Sequence, residues 1–386
     1  MSRSLHIGID ASRSTVARST GTERYSLQLI RHLIELNEER EFPHQLTLYF
    51  RDEPADDLFP ESAYVNYRVI PFTRMWTHLR LSTALWQDRP DVTFVPAHTL
   101  PLAFPGKAVV TVHDLGYKYF PEAHEEGQRR YLDWATFHSA NRAALVLSDS
   151  QATANDLTYF YETPQEKIRV VYPGVDPPER GNAFDLFDRY KIPYRYFLFI
   201  GTLQPRKNIE RIVEAFKMWR RANHDKEVGL VFAGKPGWLF DEAWVDGVED
   251  VHLTGYVDDL YKAALIRHAV ALVFPSLYEG FGFPAIEAMQ VGTPVIASNT
   301  SSLPELVGEA GMLVDPMDVR SIAAAMDLMT ENELLRRKLS VKGLMQAKLF
   351  TWEAAARQAL DAIEEAAAMP FVSAPKSPPP PPEPEE

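Results

Sequence analysis

Short apolar runs alternate with helical patterns along almost the whole chain, and this alternation limits the possible folds more than any single motif. In the first half, Leu5–Asp10, Gln45–Phe50, Val92–Val95, Ala108–His113, Ala144–Ser148 and Ile168–Tyr172 read as strands. Between them, Thr22–Asn37, Arg74–Arg89, Glu125–Arg142 and Ala152–Tyr161 carry helical periodicity. The pattern then restarts, with strands Tyr196–Ile200, Gly229–Ala233, Val251–Thr254, Ala269–Phe274 and Pro294–Ala297. Helical segments Asn208–Ala222, Asp258–His268, a run opening at Pro284, Val319–Met329 and Asn332–Leu349 accompany them. Apolar strands separated by helices imply parallel sheets with helices on both faces. The expected class is therefore α/β, with two Rossmann-like doubly wound domains facing a cleft.

The break between the two runs is Tyr172-Pro-Gly-Val-Asp-Pro-Pro178 and the polar stretch after it. The expected divisions are a first domain over 1–175, a linker over 176–192 and a second domain over 193–350. A terminal helix over 351–368 has no partner assigned by the sequence. The tail 370–386 contains five consecutive prolines, which cannot continue a helix and read as extended polyproline or disorder.

At 386 residues the chain is long enough for two or three domains. Its formal net charge of −13 speaks against a sequence-independent nucleic-acid binder. It has no cysteine, so disulfides, thiolate catalysis and cysteine metal sites are excluded, which fits a cytoplasmic protein. No apolar run reaches the roughly 18 residues of a membrane-spanning helix.

Two motifs carry chemistry. The first is Phe274-Pro-Ser-Leu-Tyr-Glu279-Gly-Phe-Gly-Phe-Pro-Ala-Ile-Glu287, in which two carboxylates flank a glycine turn between a strand and a helix. Such a turn presents backbone N–H groups at a helix N-terminus, where an anion is favoured. Carboxylates beside an anion site make sense if the ligand also carries hydroxyls, as a sugar attached to a nucleoside diphosphate does. The second is Gly201-Thr-Leu-Gln-Pro-Arg206-Lys207-Asn208, directly after a strand. Asn208 is expected to cap the following helix. Arg206 and Lys207 oppose that helix dipole unless an anion sits with them.

These two motifs, with Ser302-Leu-Pro-Glu305, Thr20-Gly-Thr-Glu23, Val112-His-Asp-Leu115 and Ser148-Asp-Ser150, resemble those of retaining glycosyltransferases of the GT-B fold, family 4 type (glycosyl transferases group 1). The resemblance covers roughly residues 5–365. It implies that Lys207, with Arg206 beside it, contacts the donor diphosphate. An arginine often follows the glycine of this motif in the family; here that position is Thr202, so either Arg206 supplies the charge or the diphosphate is held more weakly. The resemblance further implies that Glu287 accepts hydrogen bonds from the nucleotide ribose, that Glu279 lies near the transferring sugar, and that Gly282 and Phe283 face the sugar and diphosphate. Tyr256 and Val257 would cradle the nucleobase. His113 would contact the donor sugar, with Asp114 second to it, and Gly21 would let diphosphate and acceptor approach.

The resemblance also implies the reaction: a hexose moves from a nucleotide sugar to a hydroxyl of a saccharide or glycolipid acceptor, with retention at the anomeric carbon and His113 and Glu279 as catalytic residues. The donor leans to GDP-mannose, with UDP-glucose next. No cofactor or metal is expected, because cations and helix-terminal amides can stabilise the leaving diphosphate. A lipid-linked acceptor would bring the protein to the inner face of a membrane as a peripheral contact. The competing readings are a nucleotide-sugar epimerase, a glycan phosphorylase, or a non-catalytic binding subunit.

Overall fold

The structure, a computed structural model, describes residues 4–15, 21–72, 75–176, 185–224 and 227–370. The proline-rich tail and residues 177–184 of the expected linker lie outside the described residues.

Seven strands form the first sheet: β1 (His6–Asp10), β2 (Gln45–Phe50), β3 (Val65–Val69), β4 (Val92–Val95), β5 (Lys107–Val112), β6 (Leu145–Ser148) and β7 (Ile168–Val170). Their order is β3-β2-β1-β4-β5-β6-β7, and every pair is parallel. Six strands form the second: β8 (Tyr196–Ile200), β9 (Gly229–Ala233), β10 (Val251–Gly255), β11 (Ala271–Phe274), β12 (Val295–Ser298) and β13 (Met312–Val314). This sheet is also parallel throughout, in the order β10-β9-β8-β11-β12-β13. The chain therefore folds as two doubly wound α/β domains. Strands β4, β8, β9 and β11 are buried along their full length, which is why they read as unbroken apolar runs.

Two edge strands escaped the sequence reading. β3 is Val-Asn-Tyr-Arg-Val, exposed at its centre, and β13 is only three residues long. The segment Leu186–Tyr190, read as linker, is a short helix. Leu186 and Ile192 are buried in the core of the second sheet, with Phe187 and Tyr190 packed against it. The helix expected over Arg74–Arg89 is a π-helical stretch, Trp76–Leu81, running into an α-helix, Ser82–Asp88. Trp76 is buried, and its indole N–H donates to the Ile70 carbonyl at 2.8 Å.

The terminal helix Trp352–Ala368 returns to the first domain. Trp352, Ala355, Ala356, Ala359, Leu360, Ile363 and Ala366 recur at helical spacing and are buried with the inner face of the helix Gly21–Glu38. Thr351 starts it, its hydroxyl accepting the Ala354 N–H at 3.2 Å. Lys107 closes it, its ammonium donating to the Ala367 and Met369 carbonyls. The chain enters this helix past Gly174, where a Cβ would stand 2.2 Å from the Trp352 nitrogen. Among the described residues, no helix is long and apolar enough to cross a membrane.

Candidate active site

In the second sheet the strand order reverses between β8 and β11, and segments leaving their C-terminal ends diverge into a crevice. After β8 the chain passes Gly201 and makes a 3-10 turn over Pro205–Lys207. After β11 it runs through Glu279 and the glycine turn into the helix Phe283–Gln290. These two segments interlock. Arg206 Nη1 donates to Glu279 Oε2 at 2.9 Å and to the Tyr278 carbonyl at 2.6 Å, and Lys207 Nζ donates to Glu279 Oε1 at 2.5 Å. One buried carboxylate thus holds two cations.

The electrostatics follow from that geometry. Burial alone would raise the Glu279 carboxyl, but the charges of Lys207 and Arg206 outweigh it and hold it at about 2. Burial pulls Lys207 down to about 8, with the like charge of Arg206 adding to this and Glu279 opposing it.

The loop is fixed from behind by the Ser302–Glu305 motif. The Ser301 hydroxyl accepts the Glu279 N–H at 3.0 Å, and the Ser302 hydroxyl donates to the carbonyls of Glu279 and Phe281. Gly282 has φ +134°, a conformation that requires glycine, and a Cβ there would also crowd the Leu303 side chain at 2.7 Å. Asn208 stands at the start of its helix but does not cap it as expected. It adopts φ 63°, and its amide donates instead to the carbonyls of Pro275 (3.0 Å) and Pro316 (2.7 Å). It ties the loops after β11 and β13 together. The sequence places an asparagine before a helix correctly but does not show that two loop carbonyls from distant segments will compete for its side chain.

The first domain contributes His113, just beyond β5. Its Nδ1 lies 2.8 Å from Asp149 Oδ2 and its Nε2 lies 3.3 Å from the Pro96 carbonyl. Both partners are acceptors, an arrangement that favours the protonated ring. Burial lowers the His113 pKa, but the charge and hydrogen bond of Asp149 outweigh it and raise the pKa overall. Beside it, burial and the His113 charge push His98 down to about 4. His98 is therefore neutral, and its Nε2 accepts the His113 backbone N–H at 3.2 Å.

The two halves meet directly. A Cβ on Gly280 would stand 2.2 Å from the His113 carbonyl oxygen. The Tyr278 hydroxyl accepts the Leu115 N–H at 3.0 Å and donates to Asp156 at 2.7 Å. Glu305 accepts the N–H groups of Gln151 (2.9 Å) and Ala152 (3.0 Å) at the start of the helix Gln151–Tyr161, and the Tyr172 hydroxyl at 2.7 Å. That carboxylate from the second domain caps a helix of the first.

Between the halves lies a cavity of about 340 Å³, lined by Gly21, His113, Arg206, Lys207, Glu279, Gly282 and Phe283 of the expected residues. Tyr256, Val257 and Glu287 do not line it. Tyr256 is exposed, with the Lys235 ammonium 5.2 Å from its ring centre, and Val257 is buried. Glu287, one turn into the helix that begins at the cavity, pairs with Lys262 at 2.5 Å. Three residues at or beside the site were missed: Asp149, His98 and Lys262. Asp149 was readable, because consecutive strands pair here and Val112 stands opposite Ser148, which brings the next residues together. His98 and Lys262 gave no such signal.

Known proteins resemble the chain across both domains. Residues 19–179 match the family described as Glycosyltransferase Family 4, and residues 187–344 match Glycosyl transferases group 1. The chain is 30% identical over 365 residues to O-antigen chain mannosyltransferase B of Escherichia coli, covering 89% of this chain and 95% of that protein. It belongs to the group 1 glycosyltransferases. A second relative of this glycosyltransferase, O-antigen chain mannosyltransferase RfbU of Salmonella typhimurium, is 30% identical over 59% of this chain and 62% of its own length. Among solved structures, sucrose-phosphate synthase from Thermosynechococcus elongatus superposes with a TM-score of 0.71 at 22% identity, over 94% of this chain and 98% of that one. Anabaena HepE in complex with UDP and glucose gives 0.67 at 16%, over 94% and 100%. At these identities the superpositions establish the two-domain fold.

Proposed function

We propose that this glycosyltransferase transfers a hexose, mannose first among candidates, from a nucleoside-diphosphate sugar to a hydroxyl of a saccharide or lipid-linked saccharide, with retention. The observation that carries this reading is the pairing of two half-buried cations, Arg206 and Lys207, with the single buried carboxylate Glu279 at the cavity wall. Within that trio one positive charge is left over, which suits a diphosphate, with Asp114 on the same cavity wall. Glu287, one helical turn on from the cavity, is within the same element for the ribose. Mannose is favoured because the relatives named above are mannosyltransferases.

The side chains favour a particular route for the acceptor proton. A general base works best with a pKa near the working pH. Glu279, held at about 2 between two cations, is too weak a base and is not free to attack as a nucleophile. His113 has both ring nitrogens committed to acceptors. Asp114 lines the cavity with one oxygen already holding the Gly116 N–H. The departing diphosphate is then the group best placed to take the acceptor's proton. In that scheme Arg206 and Lys207 stabilise the leaving charge, Glu279 orients them and reads the sugar, and His113 contacts the sugar from the first domain. No metal is required.

A panel of nucleotides tests the reading, since a ligand that binds only the folded state raises apparent stability. GDP and GDP-mannose should raise the melting temperature of the wild type and leave Lys207→Ala unmoved. Stabilisation by UDP-glucose alone would replace the donor, and no response to any nucleotide would refute the site.

A further inference from the structure

The segment 333–349 on the second domain combines exposed apolar side chains with a basic excess. The helix Glu333–Ala347 packs Leu339, Gly343 and Ala347 inward. Its opposite side is also apolar: Leu334 is 79% exposed, Val341 60%, Met345 66% and Leu349, just past the helix end, 66%. Positions i, i+7, i+11 and i+15 fall on one line along a helix, so these four side chains make a single solvent-facing stripe. Cations flank it on both sides, with Lys338 and Lys342 on one and Arg337 and Lys348 on the other. Two have acidic neighbours, Arg337 with Glu333 (2.6 Å) and Lys342 with Glu309 (2.7 Å). From 333 to 349 there are five basic residues (Arg336, Arg337, Lys338, Lys342, Lys348) and one acid (Glu333), which gives 5 − 1 = +4 in a chain of net −13.

We propose that this face docks on an anionic lipid surface. The charge distribution points to that occupant: removing the segment's +4 leaves −13 − 4 = −17 on the remainder, which an anionic bilayer repels. This face is attracted where the net charge of the remainder is repelled, and that difference favours one orientation. The four apolar side chains insert at the headgroup boundary while lysine stems reach the phosphates above them. The stripe lies outside the cavity and its loops, so docking leaves the site's own contacts in place.

Co-sedimentation of the full chain with vesicles tests this. Wild type should pellet with phosphatidylcholine vesicles containing phosphatidylglycerol, and not with phosphatidylcholine alone. Lys338→Glu with Lys348→Glu should weaken binding at least about tenfold, from roughly 1 kcal/mol per surface cation. Leu334→Ser with Met345→Ser should also release the protein, while donor turnover with a soluble acceptor stays at the wild-type level in both variants. Absence of wild-type binding to the anionic vesicles, or unchanged binding by both variants, overturns the proposal. So does a wild-type dimer that these substitutions convert to monomer, since the face would then be a contact between copies.

Discussion

Lys207 is the residue on which the account can be tested most finely. Burial brings it down to about 8, so it is a cation at neutral pH and loses its charge a little above it. Nucleoside diphosphate affinity should therefore be flat below about pH 8 and fall close to tenfold per unit above it. Lys207→Arg, whose guanidinium does not titrate in this range, should remove the break. Calorimetric titration with GDP across pH 6.5–9.5 reads both, and an identical profile for the two proteins would contradict the assignment. The sequence made Arg206 and Lys207 legible because two cations at a helix start are costly without an anion. It did not show that Glu279 would serve as their counter-ion. That contact joins segments about 70 positions apart, and only the adjacency of β8 and β11 creates it. The partner of His113 was within reach of sequence reasoning for the opposite reason: β5 and β6 are consecutive and neighbouring.

At the level of elements, buried strands were read well and edge strands poorly. β8 and β9 carry five apolar or small residues each and are wholly buried, so pattern and structure coincide. β3 does carry the two-residue alternation of a strand, Val65, Tyr67 and Val69 against Asn66 and Arg68, but over only five residues at an exposed edge, and the sequence reading passed over it. The terminal helix was recognised from its periodicity, but its partner depends on a chain crossing back past Gly174 to the first sheet. Its docking has a direct consequence. Ending the chain after Pro370 should leave the melting temperature within about 1 °C of wild type. Ending it after Phe350 uncovers the apolar face of the Gly21–Glu38 helix and should give insoluble protein or a drop of 10 °C or more, because a core face loses its cover. Soluble, cooperatively melting protein from the shorter chain would show that the first domain does not need this helix.

At the scale of the molecule, the site exists only where the two domains meet. His113 comes from one, Arg206, Lys207 and Glu279 from the other, and Gly280 packs on the His113 backbone without room for a side chain. Closure of this kind excludes water and limits donor hydrolysis. Glu305 and Tyr278 bridge the same junction. The central claim is that the chemistry rests on stabilising the leaving diphosphate and not on a side-chain base. Steady-state kcat for sugar transfer, measured on Lys207→Ala and Asp114→Asn with a saturating donor, tests it most directly. The account predicts a loss of about 100-fold or more for Lys207→Ala, the size seen when a preorganised charge-stabilising group is removed, and a loss within about tenfold for Asp114→Asn. A large loss at Asp114 with near-normal turnover at Lys207 would contradict it.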